Sequence, residues 1–237
     1  MSVKPKIRSE VLDAVKRAFE HAAAARHLDV TEGHLAAALL EDGGVKEAVA
    51  ACGADAEELR DVALGSLDDA RPRPWYRRRP RYHVHVTNVI SSAVTHAMSA
   101  ELDEVTPLLV MIRLLDHEEP SILAERLDAM GLELLPLKRF MAHGTVRPSG
   151  PEGVNMGRCQ VVLHNDPFTT REFVIEALEE EFALTEEEAM KVMLAAHHQG
   201  TSRVTTMACA QAAAAAESVI SKAEAQGFPF KITLEPA

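Results

Sequence analysis

Two stretches of this chain repeat one pattern. Residues 21–42 and 96–117 superpose without a gap: His21-Ala22 falls on His96-Ala97, Val30-Thr31 on Val105-Thr106, and Leu39-Leu40-Glu41 on Leu114-Leu115-Asp116. Further on, Ala51-Cys52-Gly53 matches Ala129-Met130-Gly131 after a small change in length. A doubled unit restricts the fold, because the open apolar face of each copy can be covered by the other. The apolar spacing is helical. Val11, Leu12, Val15, Ala18, Phe19 and Ala22 form a stripe over residues 9–26. Thr31 then caps a second helix with Leu35, Leu39 and Leu40 inward, and Gly43-Gly44 ends it. A third short helix runs to Cys52, Gly53 terminates it, and a fourth covers residues 55–64. The expectation is one all-α domain over residues 1–142, built as a double four-helix repeat (about 7–66 and 82–142).

Between the repeats lies a segment, residues 71–81, with arginines at 71, 73, 77, 78, 79 and 81 around Trp75 and Tyr76. Its prolines exclude a helix interior and favour an extended connector. Three readings are open: a solvated linker whose arginines neutralise nearby acidic helices, a contact for an acidic partner, or a nucleic-acid contact. The last is disfavoured because nothing else in the chain is basic.

Residues 143–157 are rich in Gly and Pro and read as a linker. A second domain follows over residues 158–237. Val161-Val162-Leu163 reads as a buried strand, broken by His164-Asn165-Asp166-Pro167. Thr169 or Thr170 caps a helix carrying Phe173, Val174, Ala177, Leu178 and Phe182. Thr185 with Glu188 starts another in a capping-box pattern, and its Met193, Ala196 and His197 share a face. A strand at 203–206, a long helix at 209–225 and an alternating strand at 230–234 complete a βααβαβ order, a small α+β layer with a three-stranded antiparallel sheet.

The doubled helical unit, with Thr-Glu-x-His-Leu at 31–35, resembles the N-terminal domain of Clp-type unfoldases. The second repeat departs at the helix start, where Thr106-Pro107-Leu108-Leu109 replaces the Glu and His. In the second domain, Asn165-Asp166, Thr169, Glu172-Phe173-Val174, Met193-Leu194-Ala195, His197, Gln199-Gly200 and Thr233-Leu234-Glu235 resemble the ClpS adaptor family. That resemblance implies a non-catalytic module that holds proteins by a destabilising N-terminal residue and docks on a Clp-type AAA+ unfoldase. The implied degron-binding residues are Asn165, Asp166, Thr169, Val174, Met193, Ala196 and His197, with Phe230 a further lining candidate.

The chemistry fits those residue types. A free α-amino group is an ammonium that needs acceptors once buried. Asn165 offers an amide oxygen, Asp166 a carboxylate and His197 a neutral ring nitrogen, while Val174, Met193 and Ala196 can line an apolar hole. Three departures from the family pattern stand out. Pro167 replaces a second Asp, Arg171 replaces an apolar rim residue, and Ala210 and Ala215 replace a Glu and a Lys used in docking. They raise an alternative: a diverged module that no longer binds N-terminal degrons and competes for adaptor docking.

Composition narrows the classes further. Hydrophobic residues make up 47% of 237, enough for real cores, and the net charge of -11 argues against coating nucleic acid. The sequence contains no phosphate-binding Gly-x-x-x-x-Gly-Lys loop and no His-Glu-x-x-His or Gly-x-Ser-x-Gly motif, so no catalytic residue, metal or cofactor is expected. His83 and His85 alternate but lack a third ligand. No apolar run spans a membrane, and no signal-peptide core is visible at the N-terminus. The three cysteines, Cys52, Cys159 and Cys209, are far apart and odd in number, which argues against a disulfide and for a reducing, cytoplasmic setting.

Overall fold

In the computed structural model, which describes residues 4–67, 70–116, 121–147 and 157–237, the chain divides into two compact units, Met1–Leu137 and Lys138–Ala237. His117, the last residue of the sequence match between the repeats, lies outside the described residues, as do residues 148–156 of the Gly/Pro-rich linker.

The first unit carries a pseudo-twofold arrangement. Its first repeat runs β1 (Lys6–Ile7), α1 (Ser9–Ala24), β2 (Asp29–Val30), α2 (Glu32–Leu39), α3 (Gly43–Ala51) and α4 (Ala56–Gly65). The second runs β3 (Arg81–Tyr82), α5 (Val84–Ser99), β4 (Glu104–Val105), α6 (Pro107–Leu115), α7 (Ile122–Ala129) and α8 (Leu134–His143). The two-residue strands pair in parallel across the repeats, β1 with β4 and β2 with β3. Equivalent residues adopt equivalent backbones: Arg26 (φ 57°) and Glu101 (φ 55°) both take the left-handed conformation. Thr31 and Thr106 both sit at helix N-caps. The helices they start, α2 and α6, are the most buried, with Leu35, Leu39, Leu109, Met111, Ile112 and Leu114 fully covered. Gly33 lets α2 approach α4: a Cβ there would lie 2.7 Å from Ser66 Oγ and 2.9 Å from the Ala63 carbonyl oxygen.

Some local expectations change. Gly43-Gly44 opens α3 rather than closing α2, because the Asp42 carboxylate caps it, accepting from Gly44 N at 2.9 Å and Val45 N at 3.1 Å. Leu12 lies off the buried stripe and is 58% exposed. His83 caps α5, and His85 lies in its first turn.

The second unit begins at Lys138, inside α8. It continues as β5 (Arg158–His164), α9 (Arg171–Phe182), α10 (Glu186–Gln199), β6 (Thr201–Ala208), α11 (Cys209–Ala225) and β7 (Lys231–Pro236). The sheet is antiparallel with order β6-β5-β7, so the first strand is central. This is the expected βααβαβ layer. Val161, Leu163, Phe173, Leu178, Met193, Val219 and Ile232 meet in its core.

Cysteine pairing overturns the reading from spacing. Cys159 and Cys209 form a disulfide, with Cα atoms 4.8 Å apart. The Cys209 N–H donates to the Gly157 carbonyl at 3.0 Å, which brings the start of α11 against the start of β5. Distance along the chain concealed that adjacency. Within the alanine run at 212–216, Ala212, Ala215 and Ala216 are buried. Among the described residues, no helix is long and apolar enough to cross a membrane.

Candidate functional site

The polar loop 164–170 is shaped by its own side chains. The Asp166 carboxylate accepts from Phe168 N (2.8 Å), Thr169 N (2.7 Å) and Thr169 Oγ1 (2.7 Å). These bonds to an ionised acceptor hold the loop in one conformation. They also turn both carboxylate oxygens inward. Thr170 is the N-cap of α9, accepting from Phe173 N at 3.3 Å, and Arg171 is the exposed first residue of that helix.

α10 ends beside this loop. Its capping box, Thr185 with Glu188, fixes the start, and Gly200 (φ 85°) fixes the end. Asn165 N donates to the Gly200 carbonyl at 2.8 Å, so the exposed Asn165 is tied to the end of the helix that carries His197. His197 is half-buried, with its ring 5.3 Å from that of His198. Met193 and Ala196 point into the core, as do Val174 of α9 and Phe230 just before β7. The Phe173 ring meets those of Phe228 (5.2 Å, tilted) and Phe230 (5.8 Å, edge to face).

The seven residues singled out in the sequence thus divide into polar residues that are exposed or half-buried (Asn165, Asp166, Thr169, His197) and apolar residues in the core (Val174, Met193, Ala196). Met190 and Leu194, near Met193 on the same helix, are 42% and 37% exposed. Only the Met193 and Ala196 face of α10 turns toward the sheet. Ala210 is exposed and Ala215 buried, so the second of these two positions offers no free surface.

Sequence reasoning missed one contributor, the end of α8. Lys138 Nζ lies 5.8 Å from the centre of the Phe168 ring, and Arg139 pairs with Glu224. His143 Nε2 is 2.9 Å from the Pro229 carbonyl oxygen, to which it donates. Burial lowers the His143 pKa from its usual value; the Pro229 carbonyl and Asp166 oppose that shift, while Lys231 and Arg139 reinforce it. His164, whose Nε2 is 2.8 Å from Thr233 Oγ1, is lowered by burial and then by Lys231 and His143. A helix end next to a Gly/Pro-rich stretch gave no signal that it would brace the loop. Among the described residues, no group of three or more His, Cys, Asp and Glu is placed to hold a metal ion.

Comparison with known proteins accounts for both units. Residues 155–233 match the family model described as ATP-dependent Clp protease adaptor protein ClpS, and residues 6–122 match the Clp repeat (R) N-terminal domain. The chain is similar to the ATP-dependent Clp protease adapter protein ClpS 1 of Rhodopseudomonas palustris, 40% identical over 77 residues, which is 32% of this chain and 75% of that one. ClpS of Neisseria gonorrhoeae is 40% identical over 78 residues, 33% of this chain and 75% of the relative. Among solved structures, that of Agrobacterium tumefaciens ClpS2 bound to L-phenylalaninamide is 31% identical, with a TM-score of 0.33, over 38% of this chain and 100% of that chain. By its C-terminal unit this chain belongs to the family of ATP-dependent Clp protease adaptor proteins typified by ClpS, and it carries a Clp repeat N-terminal domain ahead of that unit.

Proposed function

We propose that this protein captures other proteins by their N-terminal residue and delivers them to a Clp-type AAA+ unfoldase, without catalysing a reaction itself. The observation that carries this reading is the bond from Asn165 N to the Gly200 carbonyl, which sets a polar rim at the end of α10 while Met193 and Ala196 face inward. In this reading the ligand's ammonium is held by the Asn165 amide oxygen and by a neutral His197 nitrogen, both acceptors. The first side chain of the ligand enters between Val174, Met193, Ala196 and Phe230. Asp166 acts chiefly by holding the loop, because its oxygens already accept three hydrogen bonds.

The same inward turn of Asp166 favours a second reading. With Pro167 in place of a second carboxylate, the rim lacks a free anion on this loop. The protein would then occupy the adaptor-docking surface of an unfoldase without binding N-terminal residues. Calorimetry with short peptides that differ only at residue one separates the two. The first reading expects a Phe-initial peptide to bind and its acetylated form to lose at least about tenfold, since losing one charge-assisted contact costs about 1.5–3 kcal/mol. Equal binding of the two peptides, or of neither, discards it.

A further inference from the structure

The segment between the repeats leaves and rejoins the same stretch of backbone. On the way out, Leu28 N donates to the Arg71 carbonyl at 2.8 Å, His27 bridges Pro72, and Arg73 N donates to the Arg26 carbonyl at 2.7 Å. On the way back, Arg81 N donates to the Leu28 carbonyl at 3.1 Å, and the Arg81 side chain pairs with Asp29. Residues 72–80 are therefore an arm with both feet fixed on residues 26–30. A turn closed by Arg77 N to the Pro74 carbonyl, at 3.0 Å, bends it. Beyond the feet it presents Trp75, 90% exposed, and Tyr76, 67% exposed, their rings edge to face at 5.9 Å. Arg77, Arg78 and Arg79 are exposed, and among the described residues they make no ion pair.

These features do not describe a connector tuned only for solubility. A Trp side chain left in water forgoes the stabilisation that burial would give it. Trp, Tyr and Arg are the residue types most enriched where binding energy concentrates, and here they occupy consecutive positions. Pinning both feet lowers the ordering cost of binding. Residues 71–81 hold six arginines and no acid on a chain of net charge -11, so the remainder is more negative still. Arg81 pairs with Asp29 of strand β2 rather than with a helix, and among the described residues Arg77 to Arg79 pair with no carboxylate.

We propose that this arm docks an acidic, apolar-containing segment of a partner protein, with carboxylates on Arg77, Arg78 and Arg79 and an apolar side chain against Trp75 and Tyr76. A peptide suits it better than nucleic acid. Single-strand binders need a basic groove that follows the backbone for about 4–16 nucleotides, whereas this cationic surface is one turn long on an acidic protein. The surface belongs to the first unit and stands independently of the N-terminal-residue site.

Trp75 is the only tryptophan in the chain, so its fluorescence reports on the arm alone. The probe is a short acetylated peptide alternating Glu and Leu, whose blocked end keeps it out of the N-terminal-residue site. On the full chain at low salt it is expected to give a saturable blue shift, with affinity falling at least about tenfold by about 0.5 M salt. The Arg77→Ala/Arg78→Ala/Arg79→Ala variant should weaken binding by at least about tenfold and leave the circular dichroism spectrum and melting temperature unchanged. An unshifted Trp75 emission, equal binding of the Gln-for-Glu peptide, or full binding by the triple variant overturns the proposal. Tighter binding of a short oligothymidylate than of the acidic peptide overturns it in favour of nucleic acid.

Discussion

Protonating His34 should unfasten the first repeat. His34 is fully buried at the third position of α2. Its Nδ1 accepts from Thr31 N at 3.1 Å and lies 2.9 Å from Thr31 Oγ1, while its Nε2 lies 2.9 Å from His27 Nδ1. Because Nδ1 must accept from a backbone N–H, the neutral ring carries its proton on Nε2 and donates to His27. A second proton would have to sit on Nδ1, facing the Thr31 N–H donor. Burial first, then the nearby His27 and His21, pull the His34 pKa from 6.5 to about 4. A folded-state pKa below the unfolded one means that the unfolded chain binds more protons at intermediate pH. The stabilisation is thus fully present above about 6.5 and is lost as pH falls toward about 4. At about 1.4 kcal/mol per pH unit it amounts to about 3 kcal/mol. Two measurements check this on the full chain. The His34 ring resonances in an NMR titration should stay those of a neutral imidazole well below pH 6.5. Urea denaturation should show the helical unit losing about 3 kcal/mol over the window, and the His34→Asn variant, which keeps an acceptor near Nδ1 but cannot titrate, losing much less. A normal titration of His34, or an identical pH slope in the variant, refutes the reasoning.

Further outcomes follow from individual contacts. Reducing the Cys159–Cys209 disulfide, which spans a sequence separation of 50, should cost the second unit about 4 kcal/mol by loop entropy; a denaturation midpoint indifferent to reductant would count against the bridge. Gly33→Ala should destabilise the first unit by about 1–3 kcal/mol, because the new Cβ meets backbone at Ala63 and the Ser66 side chain, which thermal unfolding would show as a lower midpoint. Asp166→Ala removes an acceptor of three hydrogen bonds and should cost roughly 2 kcal/mol or more while speeding amide exchange at Phe168 and Thr169; unchanged exchange rates at those two amides would argue against its role as the loop's brace.

The sequence made legible whatever depended on local chemistry. Thr170, Thr185 and Gly200 delimit helices with their own side chains or φ angles, so α9 and α10 could be placed before any fold was known. Duplication of the Val-Thr pair exposed the repeat. What stayed hidden depended on distant partners. The face of α10 that meets the sheet takes in Met193 and leaves out Met190 and Leu194, and helical spacing alone does not choose between them. Cys159 and Cys209 meet because β5 and α11 start at the same corner. The direction of the Asp166 carboxylate is set by the amides of its own loop, a detail finer than residue type conveys. Lys138 to His143 carry no motif that ties them to the second unit, in which they lie.

The exchanged strand pairs of the first unit have a consequence in time. Lys6 pairs with Glu104 and Asp29 with Arg81, so no strand of the first repeat finds its partner within that repeat. A chain emerging at about 5–20 residues per second exposes β1 for roughly 5–20 s before its partner has been made. Throughout that interval the first repeat holds an unpaired edge, and α2 lacks the part of its cover that α6 supplies. Its folding is therefore paced by synthesis of the second repeat, and halting translation between the two would leave a half-unit open to capture by other chains.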